Sequence, residues 1–145
     1  TNKAKDAVKI FDMVHSVDTL HLAQSLDALA VRYGVAMKIL LEVNVSGEES
    51  KYGLKKADVL QMIREIGALS NVKLAGLMTM APFAEDPELA RPVFRGLREI
   101  RDSMAAHGVS GAEMKELSMG MSGDYTVAVE EGATLVRVGR AIFQP

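Results

Sequence analysis

The feature that most constrains this chain is a fivefold alternation of two hydrophobic periods. Apolar or β-branched runs occur at Met13–Val17, Lys38–Val45, Val72–Met80, Glu116–Met119 and Thr134–Val138. Between them lie stretches with apolar residues three and four apart, the spacing of one helix face. Leu22, Leu26, Leu29 and Tyr33 mark the first of these, and Gly34 is placed to stop it. Leu60, Ile63 and Ile66 mark the second, and Leu89, Val93, Leu97, Ile100 and Met104 the third. A brief fourth helix runs from Asp124, as its cap, to Gly132. A short helical stretch, Lys3 to Phe11, precedes the first strand.

Strict β-α alternation predicts a parallel sheet with helices outside it. Five strands in 145 residues repeat about every 29 residues. A (β/α)8 barrel of ~250 residues repeats about every 31. A doubly wound open sheet has the same alternation. The barrel is favoured because no strand leads into the Gly-rich first turn of a dinucleotide fold. The loops richest in Gly and Ser also follow the last two strands, where barrels commonly bind phosphate. The expected architecture is therefore α/β: one domain over residues 1–145, a partial barrel of about five βα units. Either the sheet is open or about three units of an eight-stranded closure are missing, and the abrupt start at Thr1-Asn2-Lys3 leads us to expect them N-terminal to this chain.

Composition narrows the function. Seventeen Lys and Arg against nineteen Asp and Glu give a net charge of −2, unlike a basic nucleic-acid binder or a polybasic membrane-surface protein. The chain has no cysteine, which excludes disulfides, thiol catalysis and thiolate metal sites, and fits a reducing, cytoplasmic setting. No apolar run approaches the ~20 residues of a membrane span, and no signal peptide opens the chain.

Barrels carry their chemistry at the C-terminal ends of the strands. The polar residues there are His15, Ser16 and Asp18; Asn44 and Ser46; Thr79; Ser118, Ser122 and Gly123; and Arg137, Gly139 and Arg140. Ser118-Met-Gly-Met-Ser-Gly-Asp124 combines two serines and two glycines ahead of a helix. That stretch suits an anion cradle, or an ordinary strand-to-helix turn. Arg137 lies inside an apolar strand, with Leu135 and Gly139 on its side by alternation. It marks a site or forms an ion pair, with Glu42 as the candidate partner. Asn44 either orients a ligand or caps a turn. His21 and His107 read as helix-surface residues, and no spacing joins His15 to carboxylates as metal ligands. The nine methionines read mainly as core, with Met119 and Met121 as candidates to line an apolar pocket. Gly47 to Lys51 reads as a solvated loop.

Two stretches carry a resemblance. Leu41-Glu-Val-Asn-Val-Ser-Gly-Glu-Glu-Ser-Lys-Tyr-Gly53 and Leu117-Ser-Met-Gly-Met-Ser-Gly-Asp124, continuing to Val136-Arg-Val-Gly139 and Ala141-Ile-Phe143, resemble the pyridoxal phosphate homeostasis protein family. Phe11 to Asp18 and Gly76 to Pro82 match it as well, so the resemblance covers essentially the whole chain in order. It implies a pyridoxal 5'-phosphate (PLP) binding barrel like the N-terminal domain of alanine racemase. It also implies a protein that stores or delivers PLP without established turnover, with PLP-dependent enzymes as candidate acceptors.

By the same resemblance, Ser118, the backbone at Met119, and Gly139-Arg140 hold the phosphate. Ser122 and Gly123 belong to the same motif. Arg137 faces the pyridine nitrogen, and Asn44, Met78 and Thr79 border the cofactor. No catalytic residue and no metal is implied. The Schiff-base lysine of the family falls upstream of residue 1. Arg140 stands where the family usually has a small hydroxyl residue, and Gln144-Pro145 where it has a Gly and a final helix. Two alternatives remain open at this point. One is a PLP-dependent racemase-like enzyme, which needs a second acid/base across the ring. The other is a barrel enzyme for a phosphorylated metabolite, for which Glu42 is the only strand candidate.

Overall fold

A computed structural model describes residues 3–48 and 52–144. Its elements run α1 (Ala4–Ile10), β1 (Met13–Val17), α2 (Leu20–Tyr33), β2 (Met37–Glu42), α3 (Val59–Gly67), β3 (Val72–Met78), α4 (Arg91–Ala105), β4 (Ala112–Met121), α5 (Tyr125–Glu130), β5 (Leu135–Arg137) and α6 (Arg140–Phe143). The five strands form one sheet in the order β1-β2-β3-β4-β5, with every neighbouring pair parallel. Sequential strands are thus adjacent in space, as in a β/α barrel wall and unlike a doubly wound sheet, whose strand order reverses.

Helix α2 starts where Thr19 Oγ1 accepts the Leu22 N–H at 3.3 Å and ends at Gly34, as its pattern predicts. Leu26 of its expected face is fully buried, while Leu22, Leu29 and Tyr33 pack around it partly exposed. Two boundaries differ from expectation. Leu89 lies outside the long helix, in a 3-10 turn over Pro87–Ala90, and is 67% exposed. There Asp86 Oδ1 accepts the Glu88 N–H at 2.9 Å and satisfies the turn locally. Strand β4 runs ten residues, well beyond the four apolar-patterned ones, because Ala112 and Glu116 to Ser118 pair with β3. Gly76 permits that pairing. A Cβ on it would stand 2.0 Å from the Glu116 carbonyl oxygen.

The sheet has two apolar faces of unequal size. Towards the helices, Ile39, Leu41, Leu74, Leu77, Leu117 and Met119 pack with Leu26, Ile63, Phe94 and Leu97 in the main core. On the opposite face Leu40, Ala75 and Met78 pack with Met13 and Leu135 as a small separate cluster. Side chains on the inner face of a barrel stack in layers, and this cluster is one such layer. The polar residues two positions further along the strands lie above it.

Candidate functional site: a polar layer and a backbone cradle

Strand alternation lifts His15 one step beyond Met13, Glu42 beyond Leu40, and Arg137 beyond Leu135. Together with Ser118 they make the polar layer. Arg137 Nη1 donates to Ser118 Oγ at 2.6 Å, and Nη2 donates to the Thr79 carbonyl at 3.0 Å. Ser118 Oγ is also 2.9 Å from His15 Nδ1. Four strands therefore contribute to one network: β1, the end of β3, β4 and β5. Ser118 is fully buried, so each of its bonds is made at the expense of water and none can be left open cheaply.

The charges follow from burial. Burial and the nearby Arg137 cation both push His15 below its ordinary value, which keeps the ring neutral at neutral pH. Burial pushes Glu42 upward, the Asp18 charge adds to that, and Arg137 opposes it. Burial lowers Arg137 while the Glu42 and Asp124 charges hold it up. A guanidinium stays charged throughout. The alternative of an Arg137–Glu42 ion pair does not form among the described residues. Two strands stand between β5 and β2, and the guanidinium is taken by Ser118 and Thr79 instead.

Next to the layer, the loops after β4 and β5 meet. Ser122 Oγ accepts the Gly139 N–H at 3.3 Å and the Ala141 N–H at 3.2 Å. These two N–H groups thus converge on one oxygen, the arrangement of a backbone anion cradle. Gly120, with φ +96°, turns the chain between Ser118 and Ser122 and lets Ala128 close in. Ser118 therefore faces the polar layer and Ser122 the cradle. Asp124 does not cap α5 with its side chain. Its carboxylate accepts the Met121 N–H at 2.7 Å and braces the loop.

The other candidate residues divide plainly. Met119 is fully buried in the main core, so only its backbone borders the loop and its side chain lines no pocket. Met121, Gly123, Asp124 and Arg140 line a cavity of about 250 Å³ with Met80 and Phe83. Met78 belongs to the inner apolar cluster. Thr79 is buried and spends its hydroxyl on the Val43 carbonyl at 2.8 Å, so it meets the site through its own carbonyl. Asn44 accepts from Ser46 Oγ and the Gly47 N–H and donates to the Glu48 carbonyl, so both ends of its amide engage the loop after β2. Among the described residues no cluster of His, Asp and Glu could hold a metal, and no helix is long and apolar enough to cross a membrane. Lys51 and the end of the Gly47–Lys51 loop lie outside the described residues. His15 is the residue that strand-end reasoning noted but gave no role.

Five parallel strands in sequential order, with helices on one face and an interior arginine on the other, define part of a β/α barrel. The chain belongs to the alanine racemase N-terminal domain family, whose sequence profile it matches over residues 1–145. Curated relatives named pyridoxal phosphate homeostasis protein include that of Aquifex aeolicus, 41% identical over 143 residues, covering 99% of this chain and 62% of that protein. The Homo sapiens protein of that name is 36% identical, with 98% and 53% covered. This chain thus spans somewhat more than half the length of those relatives. A solved protein from Bifidobacterium adolescentis superposes with TM-score 0.91 at 43% identity, over 98% of this chain and 56% of that one. PipY of Synechococcus elongatus with PLP bound gives TM-score 0.88 at 35% identity, over 98% and 65%. A Clostridium difficile alanine racemase, at 19% identity and TM-score 0.78, shares the fold.

Proposed function

We propose that this chain forms part of a protein that holds PLP for storage or delivery and does not turn over amino acids with it. The observation that carries the reading is the pairing on β5 and its loop of an interior arginine with a backbone cradle. Gly139 and Ala141 N–H groups, with the Ser122 hydroxyl, would hold the phosphate. Gly123 and Gly139 fit that task, since a Cβ on either would meet no atom of the chain within 4 Å. Both positions leave room for a ligand to approach the backbone. Arg140 beside them adds a cation to the cavity wall. Ser118, assigned to the phosphate by the resemblance, is better placed as a support for Arg137.

PLP supplies a reactive aldehyde and an electron-withdrawing ring. Arg137 commits two of its five N–H donors to Ser118 and Thr79. The remaining donors suit an unprotonated ring nitrogen and disfavour a protonated one. At ~3 Å and an effective dielectric of ~20 that repulsion is roughly 5 kcal/mol, an upper limit near four pKa units. Arg137 therefore weakens the ring as an electron sink. Among the described residues every lysine is exposed, and no tyrosine lies in the polar layer. PLP-dependent enzymes are the acceptors this reading implies, and the cytoplasm is the setting.

The test uses the intact protein loaded with PLP. It should bind PLP stoichiometrically, restore a PLP-free acceptor enzyme, and leave L-alanine unracemised. Sustained racemisation by the purified protein would overturn the storage reading.

A further inference from the structure

We propose that His15 is a positioning residue for Arg137, acting through the hydroxyl of Ser118. The inference rests on the reading that Arg137 meets the ring nitrogen of PLP. It starts from proton counting. A guanidinium can only donate, so at 2.6 Å Ser118 Oγ is its acceptor. The hydroxyl has one proton of its own to place. His15 Nδ1, at 2.9 Å, is the acceptor within reach. The imidazole is therefore neutral with its proton on Nε2. A proton on Nδ1 would make the hydroxyl accept twice and strand its own proton without an acceptor at a fully buried residue.

That direction of bonding has a mechanical consequence. With its proton drawn to His15, Ser118 turns its lone pairs to Arg137 Nη1, while the Thr79 carbonyl fixes Nη2. The guanidinium fork is pinned at two points on two strands. Without His15, the hydroxyl is free to rotate and Arg137 keeps one firm anchor. Groups whose orientation is prepaid bind more tightly than groups that must be ordered on binding.

The test compares PLP with its 1-deaza analogue, in which carbon replaces the ring nitrogen, on the intact protein. His15→Leu should weaken PLP roughly three- to tenfold, the range of one lost hydrogen bond, and leave the analogue unchanged. His15→Asn, whose Oδ1 stands near the place of Nδ1, should recover most of the loss. In the ligand-free protein, nitrogen NMR should show His15 protonated on Nε2 and a slowly rotating Arg137 guanidinium that speeds up in His15→Leu. Equal weakening of both ligands, no weakening of PLP, or an unchanged Arg137 signal overturns the proposal. Arg137→Leu separates the underlying reading. If it weakens both ligands equally, the ring-nitrogen contact is wrong, and the ligand-free NMR still decides the His15–Arg137 link.

Discussion

Ser118 Oγ and His15 Nδ1 stand 2.9 Å apart although their strands, β4 and β1, are separated by β2 and β3 in the sheet. The contact is a chord across the concave side. It exists only because the sheet curves enough to bring non-neighbouring strands within side-chain reach. Two short polar side chains thus record the curvature that a complete barrel requires.

Removing the centre of that chord should be costly. Ser118→Ala leaves the half-buried Arg137 Nη1 and His15 Nδ1 without their common partner. The expected loss is about 1–3 kcal/mol of folding stability, measured by urea titration of the intact protein. A loss below about 0.5 kcal/mol, the scale of surface substitutions, would show that water replaces the hydroxyl freely.

Ser122 should behave differently, because it serves the cradle. Ser122→Ala removes the oxygen on which the Gly139 and Ala141 N–H groups converge. PLP affinity should fall roughly three- to tenfold, while pyridoxal, which lacks the phosphate, binds as before. Equal losses for both ligands would place Ser122 at the ring instead.

Strands β1 and β5 end the sheet, each with one strand partner. Unpaired edges recruit other strands. The 145-residue chain produced alone should self-associate, with sedimentation that depends on concentration. A monomer with a cooperative urea transition would contradict this.

The fold was legible because two periodicities alternate in it, and each survives the absence of caps. The length of β4 was not legible, since Glu113-Met-Lys115 is only one short polar-apolar-polar step at a register irregularity, and the pairing of Ala112 and of Glu116 with β3 on either side of it extends the strand. Arg137 announced itself as a charge in an apolar strand. Its partners did not, because His15 lies 103 residues from Ser118 and only the curvature joins them. Ser118 and Ser122 looked equivalent within one motif. The positive φ of Gly120, which falls between them within β4 where the pairing with β5 shifts register, is a backbone event that composition does not reveal. Asn44 was equally open between ligand and loop, and its bonds to Ser46, Gly47 and Glu48 lie within the loop after β2, too local for the sequence pattern to reveal.

Glu131 offers a pH test on the helix side. Its carboxylate, 6% exposed, contacts Arg91 at 3.1 Å, Arg95 at 3.1 Å and Arg98 at 3.0 Å, tying the end of α5 to α4. Hydrogen bonds from Arg95 and then Arg91 hold it below the ordinary carboxylate range. A depressed folded pKa gives stability that is present above the ordinary value and lost as pH falls through the folded one. Glu131→Gln should therefore be less stable at neutral pH and should flatten the acid limb of a urea-midpoint profile. An unchanged acid limb would assign the acid sensitivity to other carboxylates.

Glu42 should show the opposite sign. It is 6% exposed, and among the described residues its carboxylate takes part in no ion pair. Burial, followed by the Asp18 charge, raises it above 4.5, against the opposing pull of Arg137. A raised folded pKa means that the native state binds the proton more tightly than the unfolded chain. The associated stability is complete below 4.5 and is lost as pH rises through the folded value. Above the ordinary value the unfolded chain gives up its proton more readily than the native state, so burying Glu42 costs stability at neutral pH. Glu42→Gln keeps the shape, removes the ionisation and should be more stable than the unmutated protein at neutral pH. The advantage should shrink as the solution is acidified below the ordinary carboxylate value. Urea midpoints of both proteins across that range give the comparison. A variant that is less stable at neutral pH would mean that the Glu42 charge is needed, with Arg137 outweighing burial and Asp18.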